Sequence, residues 1–188
     1  MKTNETQPAP QPTDSQFPIL NSHFLRHGSS QPLPERVRLR AGPLSLAYEA
    51  GDSRYIRLGE REVIRRIYAA VRDRNWDTVP GEISNLKLES SVESFRAAYT
   101  CEHRLNEIHF IWRAEIIGAA DGTIRFSFDG EARSTFLRNR IGFCVLHPIR
   151  ECAGAACRVE YVDGRSATAV LQSRFESVGW TKRTRARR

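Results

Sequence analysis

Two apolar stripes of period two constrain this chain more than anything else in it. Ile108, Phe110 and Trp112 share one face of an extended segment, and Ile124, Phe126 and Phe128 share one face of the next. Between them stands Ala120-Asp121-Gly122, whose residue types suit a tight hairpin turn. A helix keeps neither stripe on one side. Burying a side chain of this size contributes roughly 1.5–3 kcal/mol. The hairpin is therefore expected at the centre of the core.

The flanking sequence has the same texture. Val37-Arg-Leu39-Arg alternates, Gly42-Pro43 turns, and Leu44-Ser-Leu46-Ala-Tyr48 alternates again. Gly51-Asp52 precedes Tyr55–Leu58, and after Pro80-Gly81 come Ile83–Leu88, Phe95–Tyr99 and later Ile141–His147. Short strands separated by turn dipeptides predict an antiparallel all-β domain. Glu60–Arg72 resists this reading. Ile64, Ile67, Tyr68 and Val71 fall at i, i+3, i+4 and i+7, the spacing of an amphipathic helix. Its neighbours are strand-like and β-branched residues are frequent, so on the residues alone helix and strand both stay open.

At 188 residues, 40% hydrophobic and 27% charged, the chain has material for one packed domain with loose ends. Pro8, Pro10, Pro12, Pro18, Pro32 and Pro34 crowd a polar start, which predicts a flexible lead-in over 1–34. No apolar run approaches the roughly 18–20 residues that span a bilayer. Met1–Asp14 lacks the apolar segment of a secretory leader. No membrane partner is expected, and the cytoplasm is the expected compartment. The net charge of +7 is concentrated at the end: removing Lys182, Arg183, Arg185, Arg187 and Arg188 leaves +2. The body then carries an ordinary surface and the basic tail reads as solvated, so nucleic acid is not an expected partner.

Candidate chemistry is thin. Cys101, Cys144, Cys152 and Cys157 form no C-x2-C pair, so neither a metal nor another cofactor is expected. Cys144 reads as a small core residue, and Cys152 and Cys157 are spaced for a clip on oxidation. Arg138 and Arg140 flank Asn139 and, two apart in a strand, project together. They suit a carboxylate bidentately, or else acids of this domain or another. His147 ends the apolar run, as a general acid or base or as a structural residue, and His109 is expected at the surface. Asp129 and Glu131 have the spacing of a carboxylate pair. G-x-S-x-G, a P-loop and G-x-G-x-x-G are absent, and no catalytic set emerges.

Three runs together carry a resemblance: Leu39–Leu46, Arg65–Trp76, and Ser134–Pro148 with Glu151-Cys-Ala-Gly. They resemble the amino-terminal domain of the D-apionate lactonase family over roughly 35–165. That resemblance implies an antiparallel β-sandwich of the mutarotase-like supersandwich type, and a strand over Arg65–Asp73. It implies hydrolysis of a sugar-acid lactone in a longer chain, where a barrel domain and a further β domain follow. Residues 166–188 then read as an atypical basic tail, the chain as a truncated piece inactive alone, and the missing barrel as its partner. Arg138, Asn139, Arg140 and His147 are the expected contacts to the sugar-acid lactone. Two rival readings are a free-standing mutarotase-like protein, binding or epimerising carbohydrate with His147 and Glu131 as acid and base, and a nucleic-acid-associated protein using the tail.

Overall fold

The computed structural model describes residues 31–171, together with Phe24, Arg26 and Gly28. Most of the lead-in expected over 1–34, and residues 172–188 of the tail expected over 166–188, lie outside the described residues. The chain divides into two compact units, 1–34 and 35–188. In the first, the Gly28 N–H donates to the Phe24 carbonyl at 2.7 Å. Among the described residues no helix is long and apolar enough to cross a membrane.

The second unit is an antiparallel all-β sandwich. Sheet one contains β1 (Arg36–Ala41), β2 (Leu44–Glu49), β3 (Asp52–Leu58), β4 (Arg61–Asp73) and β9 (Arg138–Leu146), side by side in that order. Sheet two contains β5 (Gly81–Ser90), β6 (Phe95–Leu105), β7 (Ile108–Gly118) and β8 (Ile124–Ala132). The chain meanders through β1–β4, crosses by 74–80, meanders through β5–β8, and returns by 133–137 to lay β9 on β4. A short helix, α1 (Ile149–Cys152), leads to a separate hairpin of β10 (Ala156–Glu160) and β11 (Ser166–Val170).

The stripes explain the packing. Phe95, Ala97, Tyr99, Cys101 and His103 are buried along β6, and Ile108, Phe110, Trp112, Ala114 and Ile116 along β7. Sheet one answers with Leu39, Ala41, Leu46, Tyr48, Ile56 and Val71. The Tyr48 and Tyr99 rings meet edge-on across the sheets at 6.5 Å, and Phe126 of β8 meets Phe143 of β9 at 4.8 Å. The expected Asp121-Gly122 turn is present: the Asp121 carboxylate accepts the Thr123 N–H at 2.8 Å, and Gly122 has φ 90°. The centre of the core differs from expectation. It is the β6–β7 pair, because β8 is an edge strand and leaves Ile124, Phe126 and Phe128 half-buried.

Glu60–Arg72 resolves as strand. β4 pairs with β3 on one side and β9 on the other, so its backbone is satisfied along both edges and pairing overrides the local period. Ile67, Ala69 and Val71 pack on the core two residues apart. The β3–β4 ladder is irregular at Tyr55, which has φ 52°, and beside Ile56. Ile64 thus reaches the core three residues from Ile67, and that step is what imitates a helix. Gly42, in the β1–β2 turn, has φ 51°, and a Cβ there would lie 2.1 Å from the Ala120 carbonyl oxygen. The turn seats against the β7–β8 loop only because the side chain is missing.

Alternation on β7 predicts unequal costs at neighbouring positions. Ile116 is fully buried, whereas Ile117 is half-buried on the other face. Ile116→Ala should lower unfolding stability in urea by about 2–5 kcal/mol, and Ile117→Ala by much less. Equal losses would contradict this register.

Candidate functional site

The residues singled out in the sequence lie along β9 and just after it. Arg138, Asn139, Arg140 and His147 are all exposed. The β4–β9 register runs Arg72 to Arg140 and then Asp73 to Arg138, which leaves Asn139 as a bulge. Residues opposite each other in a ladder share a face, so Arg140 follows Arg72 and Arg138 follows Asp73. The strict alternation that would project both guanidiniums together is interrupted here. Arg140 instead donates to the Phe143 carbonyl at 3.2 Å. His147 is seven residues beyond Arg140, about 23 Å at strand rise, and the four do not converge.

His147 has different company. Buried Pro148 fixes the chain behind it, and α1 follows. With Arg65, Val145, Leu146, Ile149 and Arg150 it lines an open groove of about 770 Å³. The floor is apolar and the rim basic. Of the carboxylates weighed in the sequence, Glu131 pairs with Arg133 at 2.9 Å, and Asp129 stands opposite Arg113. His109 is half-buried rather than at the surface, because its Nε2 meets the Glu102 carboxylate at 2.7 Å. Cys144 is half-buried on β9 and outside the core, Cys152 and Cys157 are free thiols, and Cys101 is the buried one. Among the described residues no group of three or more His, Cys, Asp or Glu is placed to hold a metal ion.

The densest buried polar constellation was not singled out in the sequence. It surrounds a cavity of about 190 Å³ lined by Asp52, Arg66, Thr78, Tyr99, His103 and Trp112 among others. The Trp112 Nε1–H donates to His103 Nε2 at 3.0 Å, so the imidazole proton sits on Nδ1 and donates to the Val79 carbonyl at 3.0 Å. The Tyr99 hydroxyl donates to the Gly51 carbonyl at 2.8 Å. Burial pushes the Tyr99 phenol up, the Cys101 thiol up to about 11, and His103 down. Burial also raises Asp52, against the pull of Arg66 at 2.6 Å and Arg54 at 3.3 Å. Every one of these groups is biased toward its neutral form. Cys101 lies 3.5 Å from His103 Nε2, but that nitrogen already accepts from Trp112 and cannot also take the thiol proton. A nucleophilic cysteine needs a thiolate, so the network serves as an internal brace. One signal was available: Tyr99, Cys101 and His103 fall two apart on the inward face of β6.

Comparison with known proteins decides the family. The family model for the D-apionate lactonase, N-terminal domain, matches residues 24–183. The chain belongs to that family. A D-apionate lactonase from Brucella anthropi is 35% identical over 142 residues, covering 75% of this chain and 23% of that protein. The chain thus spans less than a quarter of the curated relative's length. No solved structure matches. The family match runs past both ends of the 35–165 region marked by the motifs and takes in the β10–β11 hairpin. The most distinctive motif, Ser134–Pro148, is the return crossing with β9 and the buried proline.

His103 gives a pH dependence with a definite sign. Its folded pKa is depressed, so as pH falls below about 6.5 the unfolded chain takes a proton that the folded chain refuses. Stability is lost as the pH drops. The urea midpoint should fall between pH 7.5 and 5.5. His103→Gln should be less stable at pH 7.5 but show a flatter profile. An unchanged slope in that variant would remove His103 as the cause.

Proposed function

We propose that this chain is the amino-terminal β-sandwich module of a longer hydrolase that opens a sugar-acid lactone, and that the reacting groups belong to a following domain. One observation carries this reading. Val145, Leu146 and Ile149 are 46%, 42% and 59% exposed, gathered at the end of β9 and on α1. Apolar side chains gathered on one edge mark an interaction surface. The relative's length supplies an occupant: the remainder of a chain of which this module matches 23%. Arg65 and Arg150 frame the groove and suit acids on that occupant.

The interior supports the same reading. Burial biases Tyr99, Cys101 and His103 toward their neutral forms, and Tyr99 and His103 are hydrogen-bonded, which stiffens a scaffold and activates no nucleophile. Of the expected substrate contacts, His147 is the one on the docking face. In this proposal it reaches the lactone only in the assembled enzyme, while Arg138, Asn139 and Arg140 stand at the far end of β9. Action in the cytoplasm fits four thiols that stay free.

The 188-residue chain should show no hydrolysis of D-apionolactone above the uncatalysed rate. It should bind a hydrophobic dye, and Val145→Ser with Ile149→Ser should reduce the dye signal severalfold without lowering the urea midpoint. Turnover by the isolated chain, abolished by His147→Ala, would overturn the module reading in favour of a free-standing enzyme.

A further inference from the structure

The outer face of sheet one is electrostatically divided. At one end the charges are paired across strands: Arg36 with Glu49, Arg54 with Glu49 and Asp52, and Arg66 with Asp52. Toward the other end the pairing fails. Arg38 stands opposite Ala47, while Arg40, Ser45 and Arg57 form a row across β1, β2 and β3. Arg38 has no ion-pair partner among the described residues, and Arg40 donates only to the Gly42 carbonyl at 3.2 Å. The carboxylate nearest Arg57 is Glu62 at 3.8 Å, which is already held by Arg65 at 2.7 Å.

The small side chains of β2 turn these rows into a trough. Ser45 and Ala47 form the floor, Arg36, Arg38, Arg40 and Arg57 the walls, and Tyr55, the Ser91–Val92 turn and Glu60, the one acid in the lining, close the sides around about 1170 Å³. In the row, Arg40 and Arg57 straddle Ser45 at roughly 10 Å between backbones, and Arg38 lies about 7 Å along β1 from Arg40. That spacing suits carboxylates repeated along an extended ligand.

We propose that this trough binds an acidic carbohydrate, a linear chain bearing carboxylates, at a site distinct from the groove beside His147. The hydroxyl of Ser45 offers what sugar hydroxyls require, and the Tyr55 ring carries the Arg36 and Arg65 guanidiniums at 5.9 Å and 5.3 Å, which adds positive charge to that side. A peptide that adds a strand would run along the open edge of β1, whereas the row Arg40–Ser45–Arg57 runs across the strands. Single-stranded nucleic acid needs a series of stacking rings, and Tyr55 is the one aromatic lining the trough.

Titration of the full chain with hexamannuronate, with maltohexaose as the neutral control, tests this. Hexamannuronate should bind, weakening as salt is raised, and maltohexaose should not. Arg38→Gln with Arg40→Gln should weaken binding about threefold to tenfold. Arg113→Gln with Arg125→Gln, an equal charge loss on the outer face of sheet two, should leave it unchanged. Where the first pair fails to fold, Ser45→Glu, which sets a carboxylate between Arg40 and Arg57, should abolish binding instead. No binding, equal loss in both double variants, or equal affinity for a hexaglutamate peptide would each overturn the proposal. Lactone turnover plays no part in the measurement, so this site and the module reading fail separately.

Discussion

The sandwich depends on a line of hydrogen bonds through its interior. Trp112 donates to His103, and His103 donates to the Val79 carbonyl in the crossing from sheet one to sheet two. Val79 is itself fully buried, and its N–H donates to the Val71 carbonyl at 3.0 Å. The crossing is therefore pinned to β4 on one side and to the β6–β7 pair on the other. Tyr99 fastens the β2–β3 turn to the same pair through Gly51. Each group left unsatisfied in such surroundings would cost about 1–3 kcal/mol. The geometry accepts only a neutral imidazole, since a proton on Nε2 would face the indole N–H.

What was legible in the sequence follows from how local each determinant is. The stripes on β7 and β8 need only a period of two and a turn, and both were readable. The ranking of β6–β7 above β8 was not, because edge position is a property of the whole sheet. β4 was ambiguous for the same reason: Ile64 and Ile67 both reach the core through an irregular ladder with β3, and no local pattern encodes where that ladder breaks. The resemblance settled that stretch where periodicity did not. At the candidate site, the Arg138-Asn139-Arg140 argument assumed ideal pleating, and the register shift against Arg72 and Asp73 removes that premise. His103 was readable in principle by its parity with Phe95, Ala97 and Tyr99. Its importance comes from Trp112 and Val79, nine and twenty-four residues away.

The two outer faces show different uses of charge. On sheet two, Arg96 of β6 meets Glu115 of β7 and Arg104 meets Glu102 two residues back on β6, each at 2.6 Å. Exposed pairs of this kind are worth about 0–1 kcal/mol. On sheet one most acids sit at the Glu49–Asp52 turn, Glu62 is shared between Arg57 and Arg65, and Arg38 and Arg40 are left to act outward. Folding gains nothing from that segregation, since like charges on neighbouring strands repel. A local cost of this sort is what a binding surface requires.

Strand order then decides whether both proposed surfaces work at once. β1 and β9 are the opposite edges of sheet one, with β2, β3 and β4 between them. At strand spacing that separation is about 19 Å. A domain seated on Val145, Leu146 and Ile149 would cover the β9 edge and the face beside α1. The arginine trough opens across β1–β3 toward the other edge. The two surfaces meet at Arg65, which lines the groove and lies 5.3 Å from the Tyr55 ring of the trough, so a partner on the apolar edge and a ligand in the trough would adjoin across β3 and β4. In a longer enzyme, such a module would hold an acidic chain at one edge while its other edge carries the catalytic domain.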